Sequence, residues 1–240
     1  RAVELRIIPT SPFGRLRCRR KAMPDAPQHD FQFYTAEQFQ RFYASAAAAV
    51  SIAKNPIQER QYMMFFVVAF YTGMRPGEVL ALHWTDIDFP ARLIRIRRTY
   101  SDRYGEGPVK TESSVRDIGV PAPLFEELQA HLRFQRGMPG FSLDFLVCGG
   151  PSHLVAYTVR RHKLAYASGA GLPQIRLHDF RHSHASLLVN NGINIQEVAR
   201  RLGHSNVKET WDTYSHLYPR EQDRAITVLD TVQLSPLTTP

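Results

Sequence analysis

The chain is poor in cysteine, with Cys18 and Cys148 alone among 240 residues. Two thiols that far apart build neither a disulfide framework nor a metal knuckle, and a reducing, cytoplasmic setting is the expectation. Long apolar runs are also missing. The longest, Tyr62 to Tyr71, falls well short of the roughly 20 residues that cross a bilayer, so it predicts a buried helix. The opening residues are charged and broken by Pro9 and Pro12, unlike a secretory leader. Acidic residues are outnumbered, 22 Asp and Glu against 30 Lys and Arg, for a net charge of +8. That balance points toward a polyanionic partner such as nucleic acid. No internal repeat is present.

What is present is an ordinary apolar fraction of 43%, enough for one substantial core. Residues 1–30 carry Pro9, Pro12, Pro24 and Pro27 and read as a linker, the remnant of a preceding domain. The basic stretch inside it holds Arg15, Arg17, Arg19, Arg20 and Lys21, which could lie along a phosphate backbone. Thr35 with Gln38 is a capping box that opens a helix running to about Ala53. A second, strongly apolar helix covers Gln61 to Thr72 and is closed by Gly73; Pro76 then starts another. From Arg92 the period becomes two: Leu93–Tyr100, Pro108–Thr111 and Val115–Val120 predict three antiparallel strands in a meander. Helices follow from Pro121, from Tyr157 to Ala167, through Leu177–Leu188, from Ile195, from near Asn206 and from Arg220 to Val232. The fold class is therefore mainly α with a small antiparallel three-stranded β-sheet.

Several residues fit poorly with a packing role. Arg75 sits at a junction between two helices, with Glu78 three residues on to brace it. Lys110 lies near a turn of the meander, where a long side chain can swing. The helix Tyr157–Ala167 carries Arg160, Arg161 and Lys163, either a solvated basic face or a surface for nucleic acid. The segment Leu177-His178-Asp179-Phe180-Arg181-His182 spends an arginine and several histidines on one helical turn, with His178 and Arg181 on a shared face. That arrangement suits an anion. The pair His178 and His182, four apart, also has zinc-ligand spacing. Asp179 stands where a metalloprotease would have glutamate, however, and no third ligand is evident, so no metal is expected.

Four segments together resemble the catalytic domain of the tyrosine recombinases, of the phage and conjugative-transposon integrase kind. They are Thr72–Trp84 around Arg75 and Glu78, Val109-Lys110-Thr111, Leu177–Ala185 around His178 and Arg181, and Leu202-Gly203-His204 with Thr213-Tyr214-Ser215-His216. They occur in the family's order and span most of residues 31–218. The resemblance implies the recombinase catalytic-domain fold and site-specific breakage and rejoining of double-stranded DNA through a 3′-phosphotyrosine, without metal, ATP or other cofactor. It implies Tyr214 as nucleophile, Arg75 and Arg181 on the phosphate, His178 as proton acceptor, His204 as donor to the phosphate, Lys110 as general acid and Glu78 as support. A homotetramer on two duplexes is the expected assembly, with residues 219–240 packing on a neighbouring subunit; this chain alone could be a monomer. An inactive DNA-binding regulator and a topoisomerase using the same chemistry are the alternatives.

Overall fold

A computed structural model describes residues 32–109 and 111–217. The basic stretch 15–21, Lys110 and the expected helix 220–232 lie outside the described residues.

Helix α1 (Ala36–Ile52) starts at the Thr35–Gln38 capping box, in which each side chain satisfies the other residue's backbone N–H. Helix α1 ends at Ile52, and Asn55 caps the next helix, its side chain accepting from the Gln58 N–H, so α2 (Pro56–Thr72) begins five residues before the apolar run suggests. Every residue from Gln61 to Phe70 is buried, because α2 is the axis of the domain and is covered on all sides. Gly73 closes it in the left-handed conformation, at φ 66°. Pro76 opens the single short turn of α3 (Pro76–Leu80).

The β region differs from a simple meander. Strands β1 (Ile87–Asp88) and β2 (Leu93–Ile96) pair with each other, and the alternating run stops at Arg97. Strand β3 (Arg98–Ser101) pairs only with β4 (Gly105–Pro108), while β2 takes β5 (Arg116–Gly119) on its other edge. The three-stranded antiparallel sheet is thus β1-β2-β5, and β3-β4 is a separate hairpin. Arg97 divides the run. Its guanidinium turns back onto the carbonyls of Ile96 and Arg116, and its own carbonyl accepts from Val109 rather than from β5.

Helices α4 (Ala122–Arg136), α5 (Ala156–Gly169), α6 (Asp179–Asn190), α7 (Ile195–Leu202) and α8 (Val207–Tyr214) complete the described chain. Helix α1 packs on α2 and α5, and α6 lies along α2. Their shared core is aromatic: Phe39 stacks on Phe70 with centroids 3.7 Å apart, and Phe42, Phe66 and Phe180 meet edge-on or tilted around them. A second, smaller apolar cluster of Ala185, Val189, Val198, Leu202 and Tyr214 holds α6, α7 and α8 together. Among the described residues no helix is long and apolar enough to cross a membrane.

Candidate active site

The site lies where the end of α2, the start of α6 and the α7–α8 segment converge. Arg75 takes its place from chain geometry. Gly73 turns the chain out of α2, Pro76 restarts a helix, and the Glu78 carboxylate reaches back to the Arg75 backbone N–H at 2.8 Å. The Arg75 guanidinium is left partly exposed. It donates to Glu78 at 3.0 Å, to Ser114 Oγ at 3.3 Å and to the Gly203 carbonyl at 3.3 Å.

Glu78 does more than brace Arg75. It is 2% exposed, and Arg116 from β5 grips it with two nitrogens at 2.9 and 3.2 Å. Burial alone would raise this carboxyl's pKa, but the hydrogen bonds and charge of Arg116, and then of Arg75, hold it below the usual range. Arg116 spends its remaining donors on the carbonyls of Arg201 and Ser114. It was not among the expected site residues. The clue was its parity: Arg116 shares its strand face with Ile118 and Val120, which are buried, whereas apolar Val115 faces outward.

Arg181 is the second cation of the site. Although 2% exposed, among the described residues it donates only through Nη1, to the Gly73 carbonyl at 2.9 Å. Its buried Nη2 has no hydrogen-bond partner among the described residues. Burial, then the like charges of Arg75 and Arg116, bring its pKa down to about 9, so it remains a cation at neutral pH. A buried guanidinium beside two others, with one nitrogen unpartnered among the described residues, keeps hydrogen-bonding capacity for an anionic acceptor.

His204 follows Gly203, whose left-handed turn ends α7. Its Nδ1 meets Thr210 Oγ1 at 2.7 Å, and Nε2 lies 3.6 Å from Glu209. Burial and then the charges of Arg181 and Arg75 push its pKa down to about 3, so it stays neutral. His178 is the residue just before α6 and is exposed; partial desolvation and then Arg181 lower its pKa.

Tyr214, the last residue of α8, is 3% exposed and sits in the smaller apolar cluster. Burial raises its phenol well above the ordinary value, and the charge of Arg181 opposes that rise. The hydroxyl does not meet His178, the acceptor expected from sequence. It lies 2.5 Å from Nδ1 of His182. The reason is helical phase. His178 stands before the first turn of α6, and the residue four positions on repeats its face one turn deeper, where α8 packs. His182 was visible as half of a zinc-spaced pair and assigned to nothing else. Its pKa is lowered to about 4 by burial, then by His178. Among the described residues no group of three or more His, Cys, Asp or Glu side chains could hold a metal.

The basic helix α5 divides differently from expectation. Arg160 and Arg161 are exposed, but Lys163 is buried with its ammonium on the Ile175 carbonyl, so it does not belong to a solvent-facing basic surface. His162, between them, stacks on Tyr62 at 3.8 Å and bonds to Glu59.

A family model described as the phage integrase family matches residues 32–221. The ICEBs1 integrase of Bacillus subtilis (strain 168) is 32% identical over 209 residues, covering 83% of this chain and 54% of the relative. Among solved structures, the Tn1549 transposon integrase in complex with transposon right-end DNA superposes with a TM-score of 0.66 at 22% identity, over 87% of this chain and 69% of that one. The XerA recombinase superposes at 0.61 with 19% identity, over 88% and 67%. The chain spans about half the length of the curated relatives it matches.

Proposed function

The chain belongs to the phage integrase family, and from that premise we propose that it is the catalytic part of a tyrosine site-specific recombinase, which cuts and rejoins double-stranded DNA through a 3′-phosphotyrosine. The observation that carries this reading is the buried guanidinium nitrogen of Arg181, without a hydrogen-bond partner among the described residues, on a side chain electrostatically coupled to Arg75 and Tyr214. An anion placed there faces two cations and a nucleophile together.

In this reading a phosphodiester sits against Arg75 and Arg181, which neutralise the charge gathering on its nonbridging oxygens. Tyr214 attacks phosphorus in line and the 5′-oxygen leaves. Lys110 protonates that oxygen, and His204 donates to the phosphate. Glu78 and Arg116 hold Arg75 rigid from behind, so its geometry is set before substrate arrives. The phosphotyrosine conserves the bond energy, and a 5′-hydroxyl from another strand can reverse the step without ATP.

Arg160 and Arg161 on the exposed side of α5 and the basic stretch Arg15, Arg17, Arg19, Arg20 and Lys21 are proposed to contact the DNA backbone. Residues 31–218 act as the catalytic unit, with 1–30 as linker and 219–240 as a tail on a neighbouring subunit, in a tetramer that joins two duplexes in the cytoplasm. An inactive regulator would leave both the orphaned guanidinium and the hydrogen-bonded tyrosine without use. A nicked duplex of the cognate site, which traps the covalent intermediate, tests the reading. A protein–DNA adduct should form, and Tyr214→Phe should abolish it while DNA affinity persists. An adduct of undiminished yield in that variant would overturn the assignment.

A further inference from the structure

Building on that proposed reaction, we infer that His182, rather than His178, takes the proton from the Tyr214 hydroxyl as the phenol oxygen bonds to phosphorus. The atoms balance with the roles proposed above. The Oη–P bond forms, the P–O5′ bond breaks, the Oη proton moves to Nδ1 of His182, and the 5′-oxygen is protonated by Lys110. On rejoining, the departing tyrosine oxygen recovers its proton from His182.

Geometry is the first argument. Nδ1 of His182 stands 2.5 Å from the phenol oxygen, within the range of a short O–H···N hydrogen bond, and the two rings lie 5.8 Å apart at 50°. His178 makes no hydrogen bond to Tyr214; its ring meets that of His182 edge-on at 5.1 Å. It stands at the exposed lip of the site, next to Arg181, where a phosphate oxygen would arrive. The two histidines thus occupy different positions along one helical face, one toward the substrate and one toward the nucleophile.

The second argument concerns charge. The groups that act on His182 include His178 and Arg176 before α6, Asp179 and Arg181 on α6, and Tyr214 on α8. Burial and the cations keep the imidazole neutral, with Asp179 working against them; in the tautomer protonated on Nε2, the Nδ1 lone pair accepts from the phenol O–H. A phosphodiester bound to Arg181 would offset that cation and stabilise an imidazolium beside it. The acceptor would then become basic only in the loaded site, and the empty site would keep a protonated, unreactive tyrosine.

The test uses the full-length protein, the nicked duplex and single-turnover adduct formation, with DNA affinity measured alongside. His182→Asn places an amide atom near the position of Nδ1 but cannot take a proton. It should slow the adduct by about 100- to 10,000-fold, the usual range for losing a general base, with DNA affinity unchanged. Replacing Tyr214 by a fluorotyrosine, whose phenol is more acidic, should recover at least about ten-fold in His182→Asn while changing the His182 protein far less. Fluorination alters acidity with little change of shape, so recovery separates proton transfer from loosened packing. A His182→Asn rate within about three-fold of the parent, or the absence of any fluorotyrosine recovery, would overturn the inference. If the unsubstituted protein forms no adduct at all, the recombinase reading beneath it fails instead.

Discussion

Replacing Glu78 by glutamine should destabilise the domain far more than a neutral, same-sized substitution ordinarily does. The carboxylate accepts four hydrogen bonds: from the Arg75 backbone at 2.8 Å, from Arg75 Nη1 at 3.0 Å and from Arg116 at 2.9 and 3.2 Å. Glutamine keeps one oxygen and must turn an NH2 group toward a guanidinium. Because Arg116 is itself buried, its charge is left without a counterion. Breaking such a pair from one side costs about 3–5 kcal/mol, a large part of the roughly 5–15 kcal/mol that holds a domain folded. For a protein of this size that corresponds to a fall in melting temperature of about 6–20 °C. Urea unfolding measures it, read as a lower midpoint at unchanged slope. Adding Arg116→Met should return much of the loss, since removing both charges also removes the unpaired one. A loss below about 1 kcal/mol for Glu78→Gln, or no recovery in the double variant, would mean that Glu78 and Arg116 are not the buried pair described.

Arg181→Lys keeps a positive charge but loses the planar fork, and adduct formation on a nicked duplex should fall about 100- to 1,000-fold with binding retained; full activity would refute the assignment. Gly73→Ala places a Cβ 2.6 Å from the His184 ring and 2.9 Å from Leu202, at a φ of 66°. Strain and clash together should cost at least about 2 kcal/mol in urea unfolding, and a neutral result would contradict the close approach. Stability should also fall with acid. His131, His184 and His204 have pKa values held near 3 in the fold, against 6.5 for the free side chain, chiefly by burial. Between those values the unfolded chain binds more protons, so stability rises with pH, by up to about 1.4 kcal/mol per unit for each group. The urea midpoint should therefore be lower at pH 5 than at pH 7.5, and an unchanged midpoint would refute the buried neutral state.

Much of the fold was legible because local signals agreed with tertiary packing. The Thr35–Gln38 capping box, the Gly73 stop and the Pro76 restart each act within a few residues, and each lies where the pattern puts it. The sheet was less legible. Leu93–Tyr100 alternates without interruption, and nothing local reveals that Arg97 folds its side chain back onto Ile96 and Arg116 and splits the run. The chemistry-bearing residues stood out by type, and the structure brings Arg75, Arg181, His178, His204 and Tyr214 to one region. Their pairings did not stand out. That Arg116 rather than Arg75 alone neutralises Glu78, and that Tyr214 meets His182, depends on how β5 and α8 pack against elements distant in sequence. Lys163 failed in the opposite sense: a basic run looks uniform in sequence, yet helical phase turns one member inward to the Ile175 carbonyl.

The central claim is that the Tyr214 hydroxyl attacks DNA. Proteolysis of the adduct trapped on a nicked duplex, followed by mass spectrometry of the nucleotide-bearing peptide, tests it most directly. The account predicts a 3′-phosphoryl nucleotide on the Tyr214 side chain. Attachment at any other residue would contradict it.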